Sequence, residues 1–244
     1  MPYQILGHRG GNEKYTENTL ASFKETLDNK QIEGIELDIV VSKDKKIFIA
    51  HDRYIKIKNK VIFFHTLTYK EILKLSHSNP TKNINDLFPL FEEALILFSK
   101  YTNKIILIEV KSWPAFDHLE IVNKMLISEI HMLIRKYNLQ NQCRLISFDY
   151  RVITISHIIN PTIKTGLILH RNLLPLRNLV KNMHICMLIM ERSWITKSQV
   201  EEMKSCNIDI FAWAPNNKSE WERLDRLGVS AIITDKPKLL STFR

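Results

Sequence analysis

The feature that most constrains this chain is an alternation of short, nearly continuous apolar runs with longer stretches of helical periodicity. Eight runs have the length and composition of strands, at 4–8, 34–41, 105–110, 144–148, 165–169, 185–190, 209–213 and 231–233. In Ile105-Ile106-Leu107-Ile108 every residue is apolar, as expected of a strand covered on both faces in a parallel sheet. Helical segments are predicted at 19–29, 89–100, 116–137, 150–159, 173–182, 197–205 and 219–227. Leu20, Phe23 and Leu27 share one face of the first of these, with Asn18 or Thr19 as its N-cap. The run 46–50 reads as an antiparallel arm returning beside the second strand. Eight βα units in 244 residues predict an α/β fold, a (β/α)₈ TIM barrel. The rival, an open doubly wound sheet, lacks its fingerprint. No GxGxxG follows the first strand, and the chain has only six glycines.

One connection is too long for a plain loop. A small insertion after the second strand is expected at about 53–88, helical over 67–76 and broken at Asn79-Pro80. No Gly/Ser-rich or Pro-rich linker interrupts the chain, so residues 1–244 read as one domain. The formal charge of +9 favours phosphate-bearing partners. No run of five Lys/Arg occurs, and no helix interleaves basic and aromatic residues on one face, so no nucleic-acid partner is expected. Cys143, Cys186 and Cys206 form no CxxC pair. Cys143 and Cys186 lie in apolar runs and are expected to be buried free thiols, as suits a reducing compartment. No signal peptide and no apolar run long enough to span a bilayer are evident, so a cytoplasmic protein without stable membrane insertion is expected. No signature of a particular oligomeric state is present.

The polar residues that need explaining fall at strand ends, where active sites of this fold assemble. His8-Arg9 ends the first strand. Glu36 and Asp38 are two apart in the second and share a face. Glu109 and Lys111 repeat that spacing in the third, His51-Asp52 follows the antiparallel arm, Trp213 ends the seventh strand, and Thr234-Asp235 ends the eighth. Three buried carboxylates, Glu36, Asp38 and Glu109, repel one another unless a cation joins them. An all-oxygen set suits Mg²⁺ or Ca²⁺, with Mn²⁺ possible. Arg9 and Lys111 would then meet a phosphate. His8 and His51 can serve as general acid and base near neutral pH. Each piece alone has a plain structural reading; together they describe phosphodiester cleavage.

The motifs His8-Arg9-Gly10, Glu17-Asn18-Thr19, Glu36-Leu37-Asp38, His51-Asp52, Glu109-Val110-Lys111, Ser147-Phe148, Trp213 with Asn216, and Thr234-Asp235-Lys236-Pro237 occur in one order along the chain. In this the chain resembles the glycerophosphodiester phosphodiesterases, from about residue 5 to about residue 240. The resemblance implies a TIM barrel with a small insertion after the second strand. It implies hydrolysis of deacylated phospholipids, such as glycerophosphocholine, to glycerol 3-phosphate and an alcohol. It further implies Glu36, Asp38 and Glu109 as metal ligands, His8 and His51 as the acid/base pair, Arg9 and Lys111 as phosphate-binding residues, and Trp213 in the substrate pocket. Two departures stand out. Thr16 replaces a proline often found before Glu-Asn-Thr, and Trp213-Ala214-Pro215-Asn216 replaces Trp-Thr-Val-Asn. The alternative function is that of a related barrel phospholipase acting on lysophospholipids or intact phospholipids. It would need an exposed apolar rim, for which Ile62-Phe63-Phe64 is the candidate, unless that segment is local core. A catalytically silent binding barrel is the rival from another class, and it would be expected to have lost a ligand or a histidine.

Overall fold

A computed structural model describes residues 3–77, 87–112, 119–171 and 175–243. The strands are β1 (Gln4–Gly7), β2 (Gly34–Val41), β3 (Ile47–Ile49), β4 (Tyr54–Ile57), β5 (Lys60–Phe63), β6 (Ile105–Val110), β7 (Cys143–Ser147), β8 (Lys164–Leu169), β9 (Met187–Glu191), β10 (Asp209–Trp213) and β11 (Ala231–Thr234). The helices are α1 (Leu20–Leu27), α2 (Tyr69–His77), α3 (Phe91–Phe98), α4 (Leu119–Lys136), α5 (Tyr150–Ile159), α6 (Leu176–Val180), α7 (Lys197–Ser205), α8 (Lys218–Leu227) and α9 (Pro237–Ser241). Strands β1, β2 and β6 to β11 pair in parallel, each with the next, and β11 returns to β1. This is the closed eight-stranded barrel that the sequence predicts, and the eight predicted strands are its staves.

Strand alternation explains the layering. In β2, Ile35, Leu37 and Ile39 pack outward with Phe23, Phe91, Phe98 and other residues of the helix layer. Gly34, Glu36 and Asp38, on the opposite pleat, face the barrel interior. In β6, Ile106, Ile108 and Val110 point outward, while Leu107 joins an interior cluster with Leu6, Ile146, Ile168, Ile189, Phe211 and Ile233. The interior is therefore apolar along most of its length and acidic only toward the C-terminal ends of β2 and β6.

Local signals set the helix starts. Thr19 caps α1 in a reciprocal pair with Ser22: each backbone N–H donates to the other's hydroxyl, at 3.3 and 3.2 Å. That resolves the N-cap to Thr19 and leaves the Asn18 side chain for another task. Thr196 and Asn217 cap α7 and α8 in the same position.

Several boundaries differ from those predicted. Strand β9 begins at Met187, not at residue 185, which leaves Cys186 at the N-terminal end of the barrel and only half-buried. The expectation of a buried Cys186 therefore fails, while Cys143 is buried as expected. Helix α6 is shorter than predicted, and the predicted starts at 116 and 173 and the break at Asn79-Pro80 lie outside the described residues. The predicted helix over 67–76 forms as α2. The hairpin β4–β5 is not among the predicted elements; its two strands are only four residues long, although Ile55-Lys56-Ile57 alternates as a strand does. It is held by Ile55, which packs with Val40, Phe48, Phe64 and Ile72 in a small separate cluster. Among the described residues no helix is long and apolar enough to cross a membrane.

Barrel closure is tight where β2 meets β6. Gly34 lies opposite Ile105 in the β2–β6 ladder, and a Cβ there would stand 2.0 Å from the Ile105 carbonyl oxygen. Gly34→Ala should lower the unfolding free energy by about 3 kcal/mol, read as a reduced urea midpoint. A midpoint equal to that of the parent would show that the two strands have room to part.

Candidate active site

Register brings the acids together. Asp38 and Glu109 are direct partners across β2 and β6, and Glu36 sits one interior position below Asp38. Glu36, Asp38 and Glu109 are all buried, and one carboxylate oxygen from each lies within 4.8 Å of the others. Burial, then the charge of Asp38, pushes the Glu36 carboxyl up to about 7 and that of Glu109 up to about 8. Asp38 is equally buried, but Lys111 and Arg9 outweigh that burial and hold it at about 2.

Two cations and an amide serve Asp38. Lys111 Nζ lies 2.8 Å from Asp38 Oδ1 and 2.6 Å from Glu109 Oε1. Arg9 Nε lies 3.3 Å from Asp38 Oδ2, and Arg9 Nη1 donates to Glu17 at 2.8 Å. Asn18 Nδ2 donates to Asp38 Oδ2 at 2.8 Å, while Asn18 Oδ1 accepts the Asp38 backbone N–H at 3.4 Å. Arg9 adopts a left-handed backbone conformation (φ 53°), uncommon for a residue with a Cβ. In this conformation its backbone N–H donates to Glu36 Oε2 at 3.0 Å. The other oxygen, Glu36 Oε1, is buried and has no hydrogen-bond partner.

The histidines stand in opposite fields. His8 Nδ1 donates to Asp235 Oδ1 at 2.6 Å, and His8 Nε2 faces Glu36 Oε2 at 3.9 Å. Burial works against the His8 imidazolium, but Asp235 and Glu36 outweigh it and hold the pKa above the ordinary histidine value. Asp235 is itself fixed by Asn216. Asn216 Nδ2 donates to Asp235 Oδ2 at 2.6 Å, and Asn216 Oδ1 accepts the Asp235 N–H at 3.0 Å. His51 follows β3, is half exposed, and has Nδ1 3.1 Å from Asp52 Oδ1. Burial, with Lys111 and Arg9 nearby, holds its pKa below the ordinary value despite Asp38 and Asp52.

His8, Arg9, Glu36, His51, Glu109, Lys111 and Trp213 line one cavity of about 240 Å³ at the C-terminal mouth of the barrel. Asp38, almost fully buried, is not on its wall. The opposite wall is apolar, with Ile146, Ile168, Ile189 and Ile233 below Phe148, His170 and Trp213. His170 stacks on Phe148 at 5.0 Å between ring centroids, and Trp213 stands edge-on to it at the same distance. The indole N–H of Trp213 is buried without a hydrogen-bond partner. Five residues of this site were given no part in the chemistry by the sequence: Asn18, offered there only as a helix N-cap, Glu17, Asn216, Asp235 and His170. Four of them fall inside recognisable motifs. Spacing does not reveal their partners, which range from eight positions away for Glu17 and Arg9 to 227 for Asp235 and His8. His170 has no motif signal at all.

A parallel barrel with an acid cluster and two histidines at its C-terminal mouth defines a class of barrel hydrolases. Comparison with known proteins narrows it. Residues 8–239 match the model of the glycerophosphoryl diester phosphodiesterase family. A glycerophosphodiester phosphodiesterase of Caldanaerobacter subterraneus is 27% identical over 98% of this chain and 97% of that protein. A glycerophosphoryl diester phosphodiesterase structure from Silicibacter pomeroyi superposes with a TM-score of 0.87 at 20% identity, covering 97% of this chain and 91% of that one. An Oleispira antarctica phosphodiesterase, solved in complex with the product sn-glycerol-3-phosphate, superposes with a TM-score of 0.85 at 21% identity, covering 99% and 96%. The chain belongs to the glycerophosphoryl diester phosphodiesterase family, and is a phosphoric diester hydrolase.

The His8–Asp235 contact makes a direct prediction. Asp235→Asn keeps the shape and removes the charge, so the His8 midpoint followed by NMR should move to lower pH. Turnover should fall by about ten- to a hundredfold. An unmoved midpoint would show that Asp235 does not tune His8.

Proposed function

We propose that this chain hydrolyses glycerophosphodiesters to glycerol 3-phosphate and an alcohol, using one divalent cation held by Glu36, Asp38 and Glu109. The observation that carries the metal assignment is the unpartnered, buried Glu36 Oε1 beside two further buried carboxylates. A divalent ion fits this set. It would supply the positive charge that lets all three acids ionise, and its hard-oxygen preference points to Mg²⁺ or Ca²⁺, with Mn²⁺ acceptable. Bound there, it would act as a Lewis acid toward a phosphoryl oxygen.

The side chains have separable tasks. Arg9 and Lys111 place positive charge on the cavity wall, where the phosphate gains charge in the transition state. Trp213 offers an unpaired N–H and an apolar face to the glycerol unit. His8, with Nδ1 tied to Asp235 and its pKa raised, carries a proton on Nε2 near neutral pH and is the general acid for the leaving alkoxide. His51, with its pKa lowered, is neutral in the same range and is the general base. In this reading residues 1–244 serve one catalytic domain, with an insertion at about 53–88 whose strands β4 and β5 lie beside the mouth.

His8→Ala and His51→Ala should each reduce glycerol 3-phosphate release from glycerophosphocholine by about 10²- to 10⁴-fold in a coupled assay. Glu36→Ala should abolish release, and a chelator should abolish it in the parent. Release that ignores both the chelator and the Glu36 substitution would refute the metal site.

The opposite histidine shifts also predict a bell-shaped pH profile of kcat/KM. Activity should fall on the acid side as His51 gains a proton, below the ordinary 6.5, and on the alkaline side as His8 loses one, above it. If Asp235→Asn moves the acid limb rather than the alkaline limb, the two assignments are reversed.

A further inference from the structure

The exposed aromatic side chains are unevenly placed. Among the described residues they are Tyr15, Phe63, Phe148, Tyr150, Trp194 and Phe243. All but Phe243, which packs on Trp221, sit on segments that leave the C-terminal ends of strands. In a parallel barrel these segments surround the catalytic mouth. Tyr15 follows β1, Phe148 and Tyr150 follow β7, and Trp194 ends the turn after β9. Arg171, at the end of β8, lies over the Trp194 ring at 5.6 Å.

The hairpin β4–β5 completes the ring and gives it a charge. Ile55 and Ile62, partners across the hairpin, face the small cluster, so their neighbours along each strand, Tyr54, Lys56, Val61 and Phe63, share the other face. Val61 is 50% exposed and Phe63 44% exposed. Lys56, Lys58 and Lys60 are all exposed, and from Arg53 to Lys70 the chain has five Lys/Arg and no Asp or Glu. Of the segment Ile62-Phe63-Phe64, only Phe64 is core; Phe63 turns outward. Beside the hairpin, Tyr54, Ile55, Lys56 and Phe64 line a cavity of about 340 Å³ that runs to His51.

From these observations we propose that the mouth face docks on an anionic lipid bilayer, with the β4–β5 hairpin as its main contact. Aromatic residues of mixed polarity suit the headgroup region, and lysines around apolar tips suit an anionic surface. The aromatics stand on separate loops around an opening rather than along a groove, which favours a flat surface over a nucleic-acid strand. The docked orientation faces the catalytic cavity toward the bilayer, and it does not depend on which diester is cleaved.

The test is cosedimentation with vesicles of phosphatidylcholine alone, or of equal parts phosphatidylcholine and phosphatidylglycerol, at low salt. The parent should bind the anionic vesicles and largely ignore the neutral ones. Val61→Asp with Phe63→Asp, and separately Lys58→Glu with Lys60→Glu, should each weaken binding by about tenfold. Both variants should hydrolyse glycerophosphocholine like the parent, which separates this proposal from the catalytic one. Lys100→Glu with Lys164→Glu makes the same charge change at the opposite end of the barrel and should leave binding within about twofold of the parent. Equal losses at both ends would assign binding to net charge and overturn the proposal. So would an absence of binding to anionic vesicles, or binding of a single-stranded RNA oligonucleotide alone.

Discussion

Everything at the mouth of this barrel answers to the repulsion among three buried carboxylates. Two full charges 4.8 Å apart cost about 3.5 kcal/mol even at an effective dielectric of ~20. The β2–β6 register holds Asp38 against Glu109, and barrel closure prevents the strands from drifting apart. Lys111 bridges two of the acids, Arg9 leans on Asp38, and Asn18 donates its amide N–H to the same carboxylate while its oxygen accepts the Asp38 backbone N–H. One oxygen of Glu36 is left over, and it is the atom that most clearly calls for a cation.

The same charges divide the labour between the histidines. His8 lies on the acidic side, against Asp235 and Glu36, and holds its proton more tightly than a free histidine. His51 is held by burial, with Lys111 and Arg9 adding to it and Asp38 opposing, and holds its proton less tightly. Two like side chains thus acquire opposite roles from their surroundings. The Asn216–Asp235 pair adds geometric control, because it fixes which ring nitrogen of His8 faces the cavity.

The mouth face serves two physical ends. Chemistry gathers there because parallel strands all deliver their C-terminal ends to one side. The proposed lipid contact gathers there for the same reason, since the loops that carry Phe148, Tyr150 and Trp194 begin where the strands stop.

By itself the sequence determined the eight barrel strands and most of the helices between them, and it singled out the eight residues proposed for the site. Apolar runs and strand-end polar residues are local signals, and the motif order tied them to one family. Tertiary structure alone decided how those residues are tuned. The pairing of His8 with Asp235 depends on barrel closure between the first and last strands, and that of Asn18 with Asp38 and of Arg9 with Glu17 on how the loop after β1 folds over β2, which no spacing encodes. The hairpin β4–β5 was likewise settled by packing, because four-residue strands carry a weak local signal and Ile55, Ile57 and Ile62 gain their burial only against the separate cluster of Val40, Phe48, Phe64 and Ile72. Local periodicity reports which face of a segment is buried; it does not report which charge stands on the other side of the burial.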